Sequence, residues 1–426
     1  MSVTRQRSRK RRIADMQVNG IIAEYNPFHN GHKYHIEQCR KATGADYTIV
    51  ILGSNFTQRG EPALLDKFIR ARMALEGGAD LVIELPISHS ASSAEFFAQG
   101  GVSILDQLGV CDYLCFGSEC GDISVLQDFA RILLEESSVY VKDLKSALSI
   151  GHSYPRARNR AITVANPEMA ANEHVLSSPN NILGIEYCKA LLKLDSSIKP
   201  FTILRAGSDY HDPYMQSSFC SALALRQAVL SGLELSSLSM QMPEDAYKLM
   251  ISAIKQSPPV TINDFSNMLL YKLLMEQDLG FSHYMDVSNG LSDRIRKRIN
   301  HFEGYTALCD SLRSKDMTHT RIYRCILHIL LDMKQEDYLE FGNPGKIPYA
   351  RVLGFRKEAQ PLLNAIKKNT SIPFVTKLAD AKSLMPPHAY ELLCRDLRRG
   401  TVYESVAALK AGRKARDERQ IPIEII

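Results

Sequence analysis

The chain has 426 residues, of which 45% are hydrophobic and 23% are charged. These proportions are ordinary for a soluble globular protein and exclude a wholly disordered, collagen-like or small disulfide-stapled chain. The formal net charge of +5 lies entirely in residues 1–15, which hold six basic residues and one acidic residue. We therefore expect a disordered basic tail in front of an otherwise neutral protein, which is long enough for two or three domains.

The composition also bears on location and on metal sites. There is no stretch of about 18 apolar residues, so we expect no transmembrane helix and no membrane partner. The nine cysteines are scattered along the chain, which is typical of a reducing compartment and predicts a cytoplasmic location. The spacing of Cys111, Cys115 and Cys120 matches no zinc or iron–sulfur pattern. We predict buried free thiols, no metal site and no tightly bound prosthetic group.

Between Val18 and about Leu230, short apolar segments alternate with longer segments of helical periodicity. The predicted strands are Val18–Glu24, Asp46–Leu52, Leu81–Leu85, Tyr113–Phe116 and Phe201–Arg205. The predicted helices include Gly31–Ala42, Leu64–Glu76 and Ala94–Leu108. Nearly continuous apolar strands are typical of a sheet covered on both faces. The alternation therefore predicts an open α/β domain with a parallel sheet over residues 16–232.

The pattern changes twice further along the chain. Residues 137–175 contain Arg156, Arg158 and Arg160, and we expect them to form an insertion or a flexible excursion near the site. From residue 233 onwards helical periodicity dominates, so residues 233–426 are predicted to be mainly α-helical. Residues 16–230 carry a net charge of −5 and residues 231–426 one of +5. A solvated helix face is the simpler explanation of this basic excess, and a nucleic-acid partner is the alternative.

The sharpest feature lies where the first strand ends and the first helix begins: Glu24-Tyr25-Asn26-Pro27-Phe28-His29-Asn30-Gly31-His32. Ligands of parallel α/β domains bind at the carboxyl ends of the strands, and a helix N-terminus offers free N–H groups to an anion. Gly31 lets a phosphate approach the backbone closely, and His29 and His32 flank it as hydrogen-bond donors. Helix caps or metal ligands are the alternatives. Since no acidic or cysteine cluster completes a metal site nearby, we predict a phosphate-binding site.

This His-x-Gly-His motif resembles the signature of the nucleotidyltransferase superfamily. Further segments are similar to the bacterial tRNA(Met) cytidine acetate ligase family: Gly53–Ala63, Glu84-Leu85-Pro86, Phe116–Glu119, Pro179–Tyr187, Arg205, Tyr210-His211 and Pro348–Phe355. The resemblance extends from Met16 to about residue 380. It implies a Rossmann-like nucleotidyltransferase domain at residues 16–232, followed by a helical tRNA-binding domain at residues 233–426. The implied enzyme is a ligase that activates acetate with ATP to acetyl-adenylate and then acetylates the wobble cytidine of elongator tRNA(Met) to N4-acetylcytidine.

The resemblance also implies the site residues. His29 and His32 would be catalytic and would stabilise attack at the α-phosphate of ATP, with Mg²⁺ accompanying the nucleotide. The implied ATP-binding residues are Ile22, Ala23, Glu24, Tyr25, Asn26, Pro27, Phe28, His29, Asn30, Gly31, His32, Lys33, Tyr34, His35, Gly117, Asn180 and Arg205. A turn glycine, a helix cap and a surface ion pair are the respective alternatives for the last three. Arg226 is either a further phosphate contact or part of an ordinary amphipathic helix.

The predicted tRNA-binding residues lie in a polar loop after the second strand and in the helical half. They are Arg59, Arg294, Arg296, Arg298, Arg321 and Arg324. Three tyrosines, Tyr305, Tyr323 and Tyr349, are candidates to stack on unpaired anticodon bases, although tyrosines at helical spacing more often belong to a core.

Two other functions stay open. A small-molecule nucleotidyltransferase that forms a cofactor dinucleotide would need little beyond the α/β domain, so the long basic helical half argues against it. A non-catalytic RNA-binding protein would not need the intact His29, Gly31 and His32. The sequence does not specify an oligomeric state.

Overall fold

The computed structural model describes residues 16–205, 220–314, 317–336 and 346–426. The basic tail and the Tyr210-His211 pair therefore lie outside the described residues. The strands are β1 (Val18–Ala23), β2 (Tyr47–Gly53), β3 (Leu81–Leu85), β4 (Tyr113–Ser118), β5 (Lys199–Leu204), β6 (Ala350–Phe355), β7 (Phe374–Val375) and β8 (Glu424–Ile425).

The helices of the first half are α1 (Asn30–Thr43), α2 (Lys67–Glu76), α3 (Ile87–Ser90), α4 (Ala94–Gln107), α5 (Ile123–Glu135), α6 (Ser138–Ser149), α7 (Tyr154–Ala165), α8 (Pro179–Lys193) and α9 (Ala222–Leu230). The helices of the second half are α10 (Glu244–Gln256), α11 (Ser266–Glu276), α12 (Asn289–Arg298), α13 (Tyr305–Ser311), α14 (His319–Leu330), α15 (Gln360–Asn369), α16 (Ala381–Leu384) and α17 (Pro387–Lys410). Within the described ranges, every helix is too short or too polar to span a bilayer.

The strands form one eight-stranded sheet in the order β5–β4–β1–β2–β3–β6–β7, with β8 paired to β6. Strands β1 to β5 are parallel to one another. Successive residues of β2 face opposite sides: Ile49 and Ile51 belong to one apolar core, and Val50 and Leu52 belong to the other. Burial on both faces explains the unbroken apolar run in the sequence. The strand order reverses between β1 and β4, which creates a crevice at the carboxyl ends of these strands.

The predicted fold class, a Rossmann-like α/β domain followed by a mainly helical part, is confirmed. The sheet is not purely parallel, however, because β6 from the second half pairs antiparallel with β3. Six residues are too few to interrupt the helical periodicity that surrounds them, so the sequence pattern did not reveal this strand. Since β6, β7 and β8 return to the sheet, the division into two domains at residue 232 stays a prediction.

The second half packs a third core against the first half. Phe56 and Ile87 of the first half share this core with Phe265, Tyr305 and Ile326. The buried imidazole of His328 lies 2.9 Å from the carbonyl oxygens of Ala91, after α3, and of Met285. Apolar burial and a hydrogen bond from this imidazole hold α14 against the end of the sheet.

The prediction that Tyr305, Tyr323 and Tyr349 stack on anticodon bases is wrong. Their exposed fractions are 0%, 4% and 2%, so their rings are not available to a base. They belong to apolar cores, as tyrosines at helical spacing commonly do. Residues 137–175 form the α6–α7 hairpin and a following 3₁₀ segment, Pro167–Ser177, which leads directly into α8.

Candidate active site

The turn between β1 and α1 is held by bonds from elsewhere in the fold. Tyr25 adopts a positive φ of 47°, which is uncommon for a residue with a side chain and turns the chain sharply after β1. The side chain of Asn26 accepts a hydrogen bond from the Leu64 N–H at 2.8 Å, and its carbonyl accepts one from Arg226 at 2.7 Å. Phe28 is fully buried in the core below the turn. The backbone that leads to the first histidine is therefore fixed before any ligand binds.

The two histidines of the motif cap α1 reciprocally. His29 is the N-cap residue, and its Nδ1 accepts a hydrogen bond from the Gly31 N–H at 3.0 Å. His32, one turn later, accepts the His29 N–H on its own Nδ1 at 3.3 Å. An Nδ1 that accepts a bond carries no proton, so each neutral ring carries its proton on Nε2. The rings stack at 3.7 Å between centroids, which presents two Nε2–H donors side by side.

Burial keeps both rings uncharged. It lowers the pKa of His29 to about 3, with smaller contributions from Arg205 and Arg226. Burial likewise lowers the pKa of His32 well below its ordinary value, with the neighbouring His29 and Arg205 adding to the effect. Near neutral pH the pair therefore offers neutral donors to an anion without the desolvation cost of two buried charges.

A cavity of about 590 Å³ opens above these histidines. It is bordered by the carboxyl ends of β1, β4 and β5, where the strand order reverses, and its size suits a nucleotide-sized ligand. Every predicted ATP-binding residue lines it except Pro27, Phe28, Asn30 and Lys33. Among these exceptions, Asn30 donates to the Met240 carbonyl at 2.8 Å, and Lys33 points outward toward Glu37.

The β4 side of the cavity is shaped by Gly117 and Asn180. A Cβ on Gly117 would lie 3.1 Å from the Cγ of Arg205, so a side chain there would crowd the arginine. The Nδ2 of Asn180 donates to Glu119 at 2.6 Å, which fixes the amide and leaves its Oδ1 as an acceptor. Asn181 in turn accepts the N–H groups of Glu119 and Cys120. Both asparagines thus tie the start of α8 to the loop after β4.

Arg70 is a structural part of the site that sequence reasoning missed. It is fully buried on α2 and donates to the carbonyl oxygens of Glu24 and Gly53 at 2.6 and 3.0 Å. Two further bonds go to Ser54 and Leu65. The guanidinium therefore fixes the carboxyl ends of β1 and β2 from below. The sequence feature that could have indicated this role is the position of Arg70 directly after the apolar residues Phe68 and Ile69.

The helical half closes one side of the cavity. Thr320 and Arg324 of α14 line it together with Arg59 and Gln58 of the loop after β2. Arg324 donates to the Gln58 carbonyl at 3.3 Å. A Cβ on Gly60, whose φ is +79°, would lie 2.5 Å from the α14 backbone. The loop and α14 are thus in direct contact.

Two of the donors at this contact lack an acceptor. The Nε of Arg324 and the Nε2 of Gln58 are buried and make no hydrogen bond with any described residue. Because buried donors are normally satisfied, an ordered water or a ligand atom would complete these two groups.

The other predicted tRNA contacts lie outside the cavity. Arg296 and Arg298 are exposed on α12, and Arg321 is exposed on α14. Arg294 is half-buried and donates to the Leu312 carbonyl at 3.0 Å, which gives it a structural contact. Among the residues described, no group of three or more His, Cys, Asp or Glu side chains is placed to hold a metal ion.

This fold and this histidine-capped cavity define a nucleotidyltransferase, and residues 16–419 match the HIGH Nucleotidyl Transferase family, to which the chain belongs. Within that class it belongs to the tRNA(Met) cytidine acetate ligase family. A relative of that name from Acetivibrio thermocellus is 40% identical over 411 residues, which covers 94% of this chain and 98% of the relative. One from Thermoanaerobacter sp. is 41% identical over 371 residues, covering 86% and 90%. The predicted family resemblance is confirmed.

Solved structures agree with this membership. The crystal structure of Thermotoga maritima TmcAL bound with alpha-thio ATP is similar with a TM-score of 0.87 and 32% identity, over 96% of this chain and 100% of that one. Its apo form gives a TM-score of 0.89 and 31% identity over the same shares.

Proposed function

We propose that the chain activates acetate with ATP to acetyl-adenylate and then acetylates the wobble cytidine of elongator tRNA(Met). The observation that carries the proposal is the pair of neutral Nε2–H donors of His29 and His32 at the wall of the cavity. Membership of the tRNA(Met) cytidine acetate ligase family supports the choice of acetate and of tRNA(Met) as substrates.

In the first step an acetate oxygen attacks the α-phosphorus of ATP, and the bond to pyrophosphate breaks. Negative charge accumulates on the oxygens around the phosphorus. His29 and His32 donate hydrogen bonds to these oxygens, and the N-terminus of α1 adds the positive end of the helix dipole. Arg205 and Arg226 attract the polyphosphate. Because the turn is already fixed by Arg70 and Asn26, these donors need little rearrangement.

Mg²⁺ is expected to enter with the nucleotide and to neutralise part of the polyphosphate charge. Mg²⁺ in such sites is usually held by substrate phosphates, water and one or two carboxylates. The cavity is compatible with an ion held mainly by the substrate phosphates and water, since the described residues offer no cluster of three or more His, Cys, Asp or Glu ligands. The protein's own contribution to this step lies in the donors at the start of α1.

In the second step the target cytidine enters from the side of α14. Arg59 and Arg324 line the cavity there, and the unsatisfied donors of Arg324 and Gln58 are available to a phosphate oxygen of the RNA. Outside the cavity, exposed Arg296, Arg298 and Arg321 extend the basic surface to the flanking phosphates. The wobble nucleotide is unpaired, so no duplex has to be opened.

The test is incubation of the protein with ATP, ¹⁴C-acetate and elongator tRNA(Met), followed by nucleoside mass spectrometry. We expect label in N4-acetylcytidine, dependent on ATP and abolished by His32→Ala. A tRNA(Met) carrying uridine at the wobble position is the matched control and should take up no label. Absence of base-linked label with the unmodified tRNA would refute the proposal. Formation of a dinucleotide without tRNA would favour the small-molecule nucleotidyltransferase instead. A cytoplasmic location belongs to the proposal, because tRNA is found there.

A further inference from the structure

One carboxylate stands alone in the cavity. Glu24 is the only acidic residue among the described residues that line it, whereas four arginines and three histidines line the rest. Its proposed ligands, ATP and acetate, are both anions, and a carboxylate repels them. A single carboxylate in a cavity that binds anions is therefore a candidate for a chemical role in the reaction.

Glu24 is held firmly in place. It follows the last residue of β1, and its Oε1 accepts the Gln58 N–H at 2.8 Å. Its backbone carbonyl accepts the Arg70 bond at 2.6 Å. Among the described residues, the charged or titratable groups on which Glu24 acts include Arg226 of α9, Arg70 of α2 and the buried Tyr187 of α8. The carboxylate thus sits between the motif turn of β1 and the loop that contacts α14.

This position lies between the two proposed substrates. The motif histidines mark the side where the α-phosphate is activated, and the loop from Gln58 to Gly60 faces the helix from which the RNA enters. The acetyl-adenylate carbonyl and the cytidine amine have to meet between these two sides. A base for the amine proton is needed there, because the amine must lose a proton when it becomes an amide.

We propose that the Glu24 carboxylate accepts the proton of the attacking cytidine amine; this inference rests on the proposed function. The amine nitrogen forms a bond to the acetyl carbon, and the resulting tetrahedral adduct carries a positive nitrogen. That nitrogen is acidic, so a carboxylate can take its proton. The carbonyl re-forms as the bond from carbon to the phosphate oxygen breaks, and AMP leaves with that electron pair. The proton on Glu24 then passes to solvent.

The variant Glu24→Gln tests this with little disturbance of the fold, because the amide oxygen can still accept the Gln58 N–H. Acetate-dependent exchange of labelled pyrophosphate into ATP reports adenylate formation. Single-turnover transfer from preformed acetyl-adenylate to tRNA reports the second step. We expect transfer to fall by about 100-fold to 10,000-fold, as for loss of a general base, and pyrophosphate exchange to fall by less than tenfold.

Two variants serve as comparisons. Glu24→Asp keeps a carboxylate at a slightly different position and should restore part of the transfer rate. Glu61→Gln removes a carboxylate from the same loop, and Glu61 does not line the cavity. We expect the rates of both steps to stay within about twofold of those of the wild type. A difference between E24Q and E61Q therefore isolates the local role from long-range electrostatics.

The possible results of these experiments can be distinguished from one another. Unchanged transfer in E24Q refutes the base. An equal loss of both steps that excess Mg²⁺ restores also refutes it and makes Glu24 a ligand of the ATP-bound cation. Equal loss with a lower melting temperature would make its role structural, which overturns the proposal as well. If the unmodified protein forms acetyl-adenylate but never acetylates tRNA, the proposed function fails first, and the base fails with it.

Discussion

Replacement of His29 separates the two roles that the structure gives this residue. Its Nδ1 caps α1 by accepting the Gly31 N–H at 3.0 Å, and its Nε2–H is free to donate to a phosphate. His29→Ala removes both functions. His29→Asn keeps a strong N-cap residue but has no donor at the position of Nε2. A comparison of the two variants therefore measures the cap and the phosphate donor independently.

The expected magnitudes differ for the two roles. Loss of an N-cap side chain costs about 1 kcal/mol of folding stability, so H29A should unfold at lower urea concentration and H29N should unfold close to the wild type. Loss of a donor to transition-state charge reduces rates by about 100-fold to 1,000-fold. Both variants should therefore lose acetate-dependent pyrophosphate exchange to a similar extent. Equal stability of H29A and H29N would refute the capping role, and exchange at the wild-type rate in H29N would refute the donor role.

The pH dependence of folding stability, compared between the wild type and H29N, tests the burial of the His29 ring. Burial lowers the pKa of His29 to about 3 from its ordinary 6.5, so between these values the unfolded chain binds a proton that the folded chain does not. Stability contributed by this residue is therefore lost as the pH falls through this window, by up to about 1.4 kcal/mol per pH unit. H29N lacks the titrating ring and should lose less stability between pH 7 and pH 5. A wild type and an H29N variant with identical acid sensitivity would contradict the buried neutral ring.

Three further variants test the surroundings of the site. Arg70→Met leaves four carbonyl oxygens without their donor and should cost on the order of 3–5 kcal/mol in urea unfolding, whereas Arg72→Met on the same helix, with a half-exposed side chain, should cost less than about 1 kcal/mol. Gly60→Ala places a Cβ 2.5 Å from the α14 backbone at a positive φ and should lower the melting temperature, with a cost on the order of 3 kcal/mol. Joint replacement of Arg296 and Arg298 by Ala should weaken tRNA binding in filter assays and reduce the slope of log affinity against log salt by roughly one per lost phosphate contact, with pyrophosphate exchange unchanged.

Much of the sheet could be predicted because its strands are covered on both faces. The segment Leu81–Leu85 is apolar except for Glu84, which favours a buried strand, and its predicted bounds agree with β3. The motif at the end of β1 could be placed for the same reason, since the strand that precedes it was clear. The position of His29 and His32 at the start of a helix followed directly. The reciprocal capping by these two histidines could not be predicted from the sequence, because it depends on the rotation of each ring.

Other features depend on contacts that are distant in sequence. From the sequence alone, Arg70 is expected to be an exposed helix residue. The sequence does not show that the ends of β1 and β2 converge on its side chain. Likewise, β6 begins 265 positions after the end of its partner strand β3. The paired residues Leu81 and Phe355 are 274 positions apart in the sequence. Tyr305 and Tyr323 were ambiguous because a basic helix with aromatic residues has the same pattern whether its rings pack inward or face RNA. Only the packing of α13 and α14 against a common core decides between these alternatives.

The backbone of Gln58 connects the two parts of the proposed reaction. Its N–H donates to Glu24 at the end of β1, and its carbonyl accepts a bond from Arg324 on α14. A phosphate that binds the unsatisfied Nε of Arg324 would therefore act one hydrogen bond away from the loop that holds the carboxylate. Gly60 of the same loop packs directly against α14. In the proposed reaction, RNA bound on the α14 side would therefore contact, through Gln58, the loop that holds the proposed base.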